Sequence, residues 1–401
     1  MLFTTTRQLG QLVQPKVEST FHQLPEGISE FTLTRFSVFT TQIKNMKEAI
    51  VDPSVSVKII DSPVPVPGPG EVLIKVVVSG TNPKDWKIPV WLNETTNTGD
   101  DIAGTVAGLG EGVTGVHKGD RVAAFHVMRA PAGSYAEYAI APQHLVFPIP
   151  EAVSFEEAST IPLAAYTAAV ALFYHLEFPS PWDKAAKRDE KRPLVIYGAS
   201  TAIGAFGIKL AQFANIHPII AVGSKNSDFV VPFLNAGKGD RIVDYTAYKT
   251  HEELTAAIKG AIKEAGAVDG RGFDVFDGVS TTETVKVLTN AIAGPPDSSG
   301  RRPRLTTVLP DVSQEADPSV EIVRTNVGTV HGETEEEKLL GLVWGRAFSR
   351  GLAEGWFTPH PYEVVKGGLG GLEAALRALK EGTVRGKKMV IRIGETEGVE
   401  A

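Results

Sequence analysis

The sequence of 401 residues contains no cysteine. That absence removes disulfide frameworks, thiol nucleophiles and every zinc site built on thiolates. Positive charge is not in excess either. Lys and Arg number 40 against 47 Asp and Glu, a net charge of −7, which argues against nucleic-acid binding through a basic surface. No apolar run approaches the ~20 residues needed to cross a bilayer, so membrane insertion is not expected. What is present includes 40 glycines and 26 prolines, in a globular composition long enough for two or three domains of about 100–200 residues.

Residues 1–45 are rich in Thr, Ser and Gln and lack a strand–turn rhythm. A transit peptide is Arg-rich and poor in acids, whereas this stretch carries Glu18, Glu26 and Glu30 beside Arg7, Lys16 and Arg35. It is expected to be a disordered extension, or to begin upstream of a true start at Met46. A cytoplasmic location is expected, with mitochondrial import through residues 1–45 left open. From Met46 short strands alternate with Gly/Pro turns: Val55–Ile60, Glu71–Ser79, Asp101–Gly108, Gly119–Ala124 and Ser134–Ala141. Such spacing indicates a small β-rich domain. Phe155–Phe173 reads as helix, and residues 179–193 as a charged surface loop.

Strands and helices then alternate. Leu194–Tyr197, Ile219–Val222, Arg241–Tyr245, Phe273–Asp277, Arg304–Val308 and Ile322–Val327 read as strands. Helices are predicted at Ile203–Ala214, Phe229–Ala236, His251–Ala265 and Thr281–Ala293. This alternation predicts a parallel sheet with helices on both faces. The tail adds helices at Glu335–Glu354 and Leu369–Glu381 and a last strand at Lys388–Ile393.

The strongest local signal runs from Pro193 to Ala214, PLVIYGASTAIGAFGIKLAQFA. An apolar strand enters a turn of small residues, Gly198, Ala199, Ser200, Thr201 and Ala202, and a helix follows. A pyrophosphate needs backbone N–H groups at a helix N-terminus with no side chain in the way. Ala202 stands where the dinucleotide fingerprint prefers its second glycine, and Gly204 and Gly207 let the helix approach the sheet. A rival reading takes Gly198-Ala199-Ser200-Thr201-Ala202 as a hydrolase nucleophile elbow, with Ser200 attacking and His331 or His360 completing a triad. The two extra glycines and the lack of an upstream HGGG segment rank it behind. NAD-binding units place Asp or Glu at the end of the second strand. Here that strand runs into Gly223-Ser224-Lys225-Asn226. A hydroxyl, a cation and an amide suit an additional phosphate, which favours NADPH.

From Met46 onward the chain resembles the zinc-independent medium-chain dehydrogenase/reductases, and among them the fungal trans-acting enoyl reductases and quinone-oxidoreductase-like proteins. The matching segments occur in order: PGPGEVLIKV, GTNPKDWK, GDDIAGTV, GDRV, GSYAEY, IPLAAYTAAVALF, the glycine turn, IVDY and VRGKKMVIRI. The resemblance implies an α/β fold: a GroES-like β-rich catalytic domain (46–168 and 329–401) wrapped around a Rossmann-type doubly wound parallel-sheet domain (169–328), with NADPH between them. By analogy Ser200, Thr201 and Ile203 line the pyrophosphate turn beside Gly198, Ala202 and Gly204. Ser224, Lys225 and Tyr245 surround the 2′-phosphate. Asn82 and Thr167 lie near the nicotinamide end, and Lys387 matches a lysine near the terminus that touches the cofactor. Relatives that use zinc carry a catalytic cysteine and a GHE segment. The corresponding stretch here is Gly99-Asp100-Asp101, so no metal is expected.

Reduction of a polarised double bond is the reaction expected without zinc. Hydride adds to the carbon β to a carbonyl, and the protein stabilises charge on the carbonyl oxygen. Lys87 is the first catalytic candidate, because similar family members carry a lysine there facing the acceptor. Tyr135 is the second, as proton donor or pocket wall. Asp101 reads as a structural anchor. The acceptor is a small-molecule enoyl compound or a quinone. Two readings of another class remain, a non-catalytic NADPH-binding protein and the Ser200 hydrolase. Monomer and homodimer both stay open.

Overall fold

The computed structural model describes residues 44–183, 192–265, 273–297 and 299–400. The expectations for the N-terminal extension and for the middle of the 179–193 loop fall outside them. Beside a two-stranded antiparallel pair, Asn45–Val51 with Val57–Pro63, two large sheets organise the described chain. One has six parallel strands in the spatial order Arg241–Asp244, Ile219–Gly223, Leu194–Tyr197, Asp274–Asp277, Arg304–Thr307, Glu321–Arg324. The chain winds outward in one direction from Leu194–Tyr197, then returns to wind in the other from Asp274–Asp277. Ligands of open α/β sheets bind in the crevice at such a reversal, outside the carboxyl ends of the strands.

Alternation along these strands covers both faces. Leu194, Ile196 and Phe276 pack with Ala205, Phe206 and Ile208 of the helix Ala202–Phe213. Val195, Tyr197 and Val275 pack on the other face with Ile258 and Leu288 from the helices His251–Glu264 and Thr282–Ile292. At the lower end of the sheet, buried Asp274 binds Arg192 and, at 2.6 Å, Arg301. These two arginines tie the segments that precede the strands Leu194–Tyr197 and Arg304–Thr307 to one carboxylate.

The second sheet has seven strands and is built around Glu71–Gly80. That strand pairs antiparallel with Asp101–Leu109, Tyr138–Pro142 and Lys388–Arg392. The C-terminal strand therefore lies beside a strand some 300 residues earlier, with Val390 opposite Gly80, and brings its first residues to the parallel sheet's crevice. Tyr362–Val365 adds on parallel to it.

Several elements differ from the sequence reading. The stretch predicted as the helix Phe229–Ala236 is a 3₁₀ segment, Lys225–Phe233, with Pro232 inside it; proline supplies no N–H and clashes with the preceding turn. The single helix predicted over Phe155–Phe173 is broken into Phe155–Ala158, Pro162–Ala169 and a π-helical turn, Val170–His175. Pro162 starts the second piece, where its missing N–H costs nothing. Within the Ser134–Ala141 run strand begins only at Tyr138, continuing to Pro142; the Ser134 N–H bonds Gly99 O instead. A helix at Lys84–Leu92 and strands at Asn45–Val51 and Tyr362–Val365 had no clear period to announce them.

Candidate active site

The strand Leu194–Tyr197 ends at Gly198, whose φ of +78° is a left-handed conformation that glycine adopts without strain. Its N–H bonds Val222 O at 2.9 Å. Thr201 caps the following helix: its hydroxyl accepts the Gly204 N–H at 3.1 Å and donates to Gly198 O at 2.7 Å. A Cβ on Gly204 would stand 2.3 Å from Gly198 O, so only glycine permits this closeness. The first helical N–H groups, at Ala202 and Ile203, have no intrahelical acceptor, and the helix dipole favours an anion there.

A cleft of about 380 Å³ opens above this turn. Among its walls are Gly198, Ser200, Thr201 and Ala202 from the turn, Ser224 and Tyr245 from the next two strand ends, and Asn82 and Lys387 from the other sheet. Tyr245 stacks on Tyr197 with centroids 6.1 Å apart. Arg385, Lys388 and His360 also line the cleft; none of these three was singled out as a cofactor contact from the sequence. No carboxylate lines it among the described residues. Asp244, at the end of the third strand, is engaged by the Thr246 N–H and hydroxyl at 2.9 and 2.7 Å.

Other expected residues lie elsewhere. Gly204 and Ile203 sit behind the turn in the helix. Thr167 is buried in its own helix, its hydroxyl donating to Leu163 O at 2.7 Å. The side chain of Lys225 lies outside the described residues. Lys87 does not line the cleft: its ammonium lies 5.7 and 5.6 Å from the Trp86 and Trp91 rings, and burial lowers its pKa. The register of the helix Lys84–Leu92 turns Lys84 inward instead, where it pairs with Asp85 at 3.1 Å and with Asp100. Tyr135 is also off the cleft. It is fully buried and its hydroxyl donates to Asp85. Burial and the Asp85 charge raise its pKa well above the usual tyrosine value. Burial also raises Asp85 itself, to about 6, against the opposing pull of Lys84.

The most constrained part of the cleft is a buried polar node. Asp101 accepts the Leu163 N–H at 2.6 Å on one oxygen, and on the other the Asn82 amide at 2.7 Å and the Lys388 ammonium. Lys388 also donates to Asn82 Oδ1 at 3.0 Å. One carboxylate thus joins the Asn82 turn, the helix Pro162–Ala169 and the C-terminal strand. Lys387, one residue earlier, is exposed and pairs with Glu363. Strand parity held the missing signal: Lys388 shares the inward face of Val390, whereas Lys387 falls on the opposite face.

The hydrolase constellation is not assembled. Ser200 forms no hydrogen bond to a histidine among the described residues. His331 accepts the Met128 N–H at 3.2 Å and stacks on Phe125 at 4.7 Å. Also among the described residues, no group of three His, Asp or Glu is placed to hold a metal ion, and no helix is long and apolar enough to cross a membrane.

The arrangement fits a dinucleotide: a glycine cradle that a Cβ would fill, at the switch point of a parallel sheet, facing a wall that carries Arg385, Lys387 and Lys388. Known proteins agree with this geometry. Residues 68–151 match the alcohol dehydrogenase GroES-like domain family. The trans-enoyl reductase fsr4 of Gibberella fujikuroi is 37% identical over 344 residues, 84% of this chain and 97% of that protein. The trans-enoyl reductase resD of Aspergillus sclerotiorum is 30% identical over 85% of this chain and 98% of its own length. Among solved structures, the CurK enoyl reductase superposes with a TM-score of 0.65 at 18% identity, over 87% of this chain and 98% of that one. The quinone oxidoreductase of Coxiella burnetii gives 0.59 at 21%, over 87% and 99%. The chain belongs to the trans-enoyl reductase group of the medium-chain dehydrogenase/reductases.

Proposed function

We propose that the protein is an NADPH-dependent reductase of conjugated carbon–carbon double bonds that uses no metal. One observation carries the reading: the cleft is lined by the glycine turn, Ser224, Tyr245, Arg385, Lys387 and Lys388, and no Asp or Glu is among the described lining residues. A carboxylate at the second strand end serves a free ribose hydroxyl, and its replacement by Ser224 and nearby cations suits a phosphate. The resemblance of the chain to enoyl reductases supplies the acceptor class.

When bound, NADPH supplies the hydride. The turn's N–H groups and the helix capped by Thr201 hold the pyrophosphate. Ser224, Tyr245 and the exposed cations Arg385 and Lys387 hold the 2′-phosphate. Asn82, locked by Asp101 and Lys388, fixes the opposite wall at the reacting end. Residues 46–168 and 329–401 form the catalytic domain in this reading, and residues 169–328 the dinucleotide domain. In this reading protein dipoles stabilise the carbonyl oxygen, and the sequence has no cysteine to hold a zinc through thiolates.

Oxidation of NADPH and of NADH is to be followed with crotonyl-type thioesters and with quinones. The expected result is turnover with the thioester, faster with NADPH. Turnover with quinones alone moves the acceptor class, and turnover with neither overturns the proposal.

A further inference from the structure

His360 is 2% exposed, yet it lines the cleft, and its ring nitrogen Nδ1 is buried without a hydrogen-bond partner. Leaving a buried polar atom unpaired is costly, and native structures rarely do so without a reason such as a ligand. The residue is held firmly. Its backbone N–H donates to the Thr160 hydroxyl at 3.1 Å. The ring packs edge-on against Phe229, with centroids 5.3 Å apart, and beside Phe206 at 6.3 Å.

The two residues before it are anchored by an unusual group. Lys209, on the helix that opens with the glycine turn, is 3% exposed and forms no ion pair among the described residues. Its Nζ donates to Thr358 O at 2.8 Å and Pro359 O at 3.0 Å, and lies 5.1 and 4.8 Å from the Phe206 and Phe233 rings. A lysine buried this far costs desolvation energy, so its retention in an apolar helix face calls for a function. The bonds tie the dinucleotide helix to the segment that presents His360.

We propose that His360 is a further ligand-contacting residue of the cleft, hydrogen-bonded to a ribose hydroxyl of the bound dinucleotide, and that Lys209 is its positioning residue. The inference rests on the proposed NADPH binding. Charge selects the ligand group. Burial, with Lys209 and Lys388 nearby, pushes the His360 pKa down to about 3, so the imidazole is neutral and offers one donor and one acceptor. A hydroxyl also donates and accepts, whereas a phosphate is served better by the neighbouring cations.

NADPH affinity is to be measured by fluorescence titration for the wild type, His360→Ala, His360→Gln, Lys209→Met and the double variant Lys209→Met/His360→Ala, with melting temperatures alongside. His360→Ala is expected to weaken binding about ten-fold or more, the scale of one hydrogen bond made to a buried group. His360→Gln, which keeps a donor and an acceptor, recovers part of the loss. Lys209→Met weakens binding comparably, and the double variant is no weaker than His360→Ala alone, because residues acting through one contact are not additive. Unchanged affinity in both His360 variants overturns the proposal while NADPH binding stands. Additive losses overturn the positioning role of Lys209. A wild-type protein that binds no NADPH removes the functional reading and this inference together.

Discussion

Replacing Asp101 by asparagine tests whether one carboxylate fixes the wall of the cleft opposite the glycine turn. The side chain is fully buried and serves three donors: the Leu163 N–H, the Asn82 amide and the Lys388 ammonium. Asparagine keeps the shape but removes the charge, and it turns one acceptor oxygen into an NH₂ that faces another donor. Lys388 then becomes a buried cation without a counter-charge, and breaking a buried pair in this way costs about 3–5 kcal/mol. At about 2–4 °C per kcal/mol for domains of 150–250 residues, Tm falls by roughly 6–20 °C. Pairing Asp101→Asn with Lys388→Met removes both charges. Neutral replacement of a whole buried pair is often near neutral in stability, so the double variant recovers most of the loss. Calorimetric melting of the wild type, the two single variants and the double variant reads this directly. An Asp101→Asn protein that melts with the wild type, or a double variant no more stable than Asp101→Asn, refutes the reasoning.

Three further outcomes follow from particular contacts. Gly204→Ala places a Cβ 2.3 Å from Gly198 O and 2.9 Å from Gly198 C, and backbone cannot swing aside. Overpacking of this kind costs about 1–3 kcal/mol, so weaker NADPH binding and a lower Tm are expected, and a variant with wild-type values of both contradicts the cradle. Burial lowers the Lys209 pKa to about 7, against about 10.4 in the unfolded chain. Between those values the unfolded state binds more protons, so this group makes stability rise with pH from about 7 to about 10; urea midpoints across that range should rise, and Lys209→Met should flatten the rise. Ser200 should resist a fluorophosphonate, since no histidine is bonded to it; labelling of Ser200 would restore the hydrolase reading.

The parallel sheet was legible because its strands are short β-branched runs bounded by glycine and by helices of regular period. The glycine turn was legible because its chemistry is local: strand, small residues and capped helix are consecutive. The cleft's other wall was not. Asn82, Asp101, Leu163 and Lys388 span some 300 residues, and nothing in the local pattern of any one of them announces the node. Lys387, next to the glycine of the terminal motif, lines the cleft, but the motif does not announce Lys388, which strand parity places inward beside it. Lys87 and Tyr135 show the converse. Each stands in a segment shared with the family, but the helix that begins at Lys84 turns Lys87 onto two tryptophans, and Tyr135 is consumed by Asp85 in the core.

Net charge and local charge point in opposite directions here, and the difference is itself testable. The chain carries a net charge of −7, which weighs against a polyanionic partner spread over its surface. Inside the cleft the balance reverses, with Arg385, Lys387 and Lys388 in the lining and no acidic side chain among the described residues. A cleft with low-dielectric walls focuses the field of such groups, so local sign outweighs net sign for a ligand that enters it. Two of the three cations have different standing. Lys388 is buried and neutralised by Asp101, so it acts as a hydrogen-bonding strut more than as a free charge. Lys387 is exposed and shares Glu363. Arg385 is exposed and has no ion-pair partner among the described residues, which makes it the main source of screenable attraction. Raising salt from about 0.1 M to about 1 M shortens the Debye length from about 10 Å to about 3 Å. NADPH affinity should therefore fall several-fold over that range, NADH affinity should fall less, and Arg385→Gln should reduce the salt dependence for NADPH. Equal salt dependence for the two cofactors would show that the additional phosphate does not meet these cations, and would return the choice of dinucleotide to the turn alone.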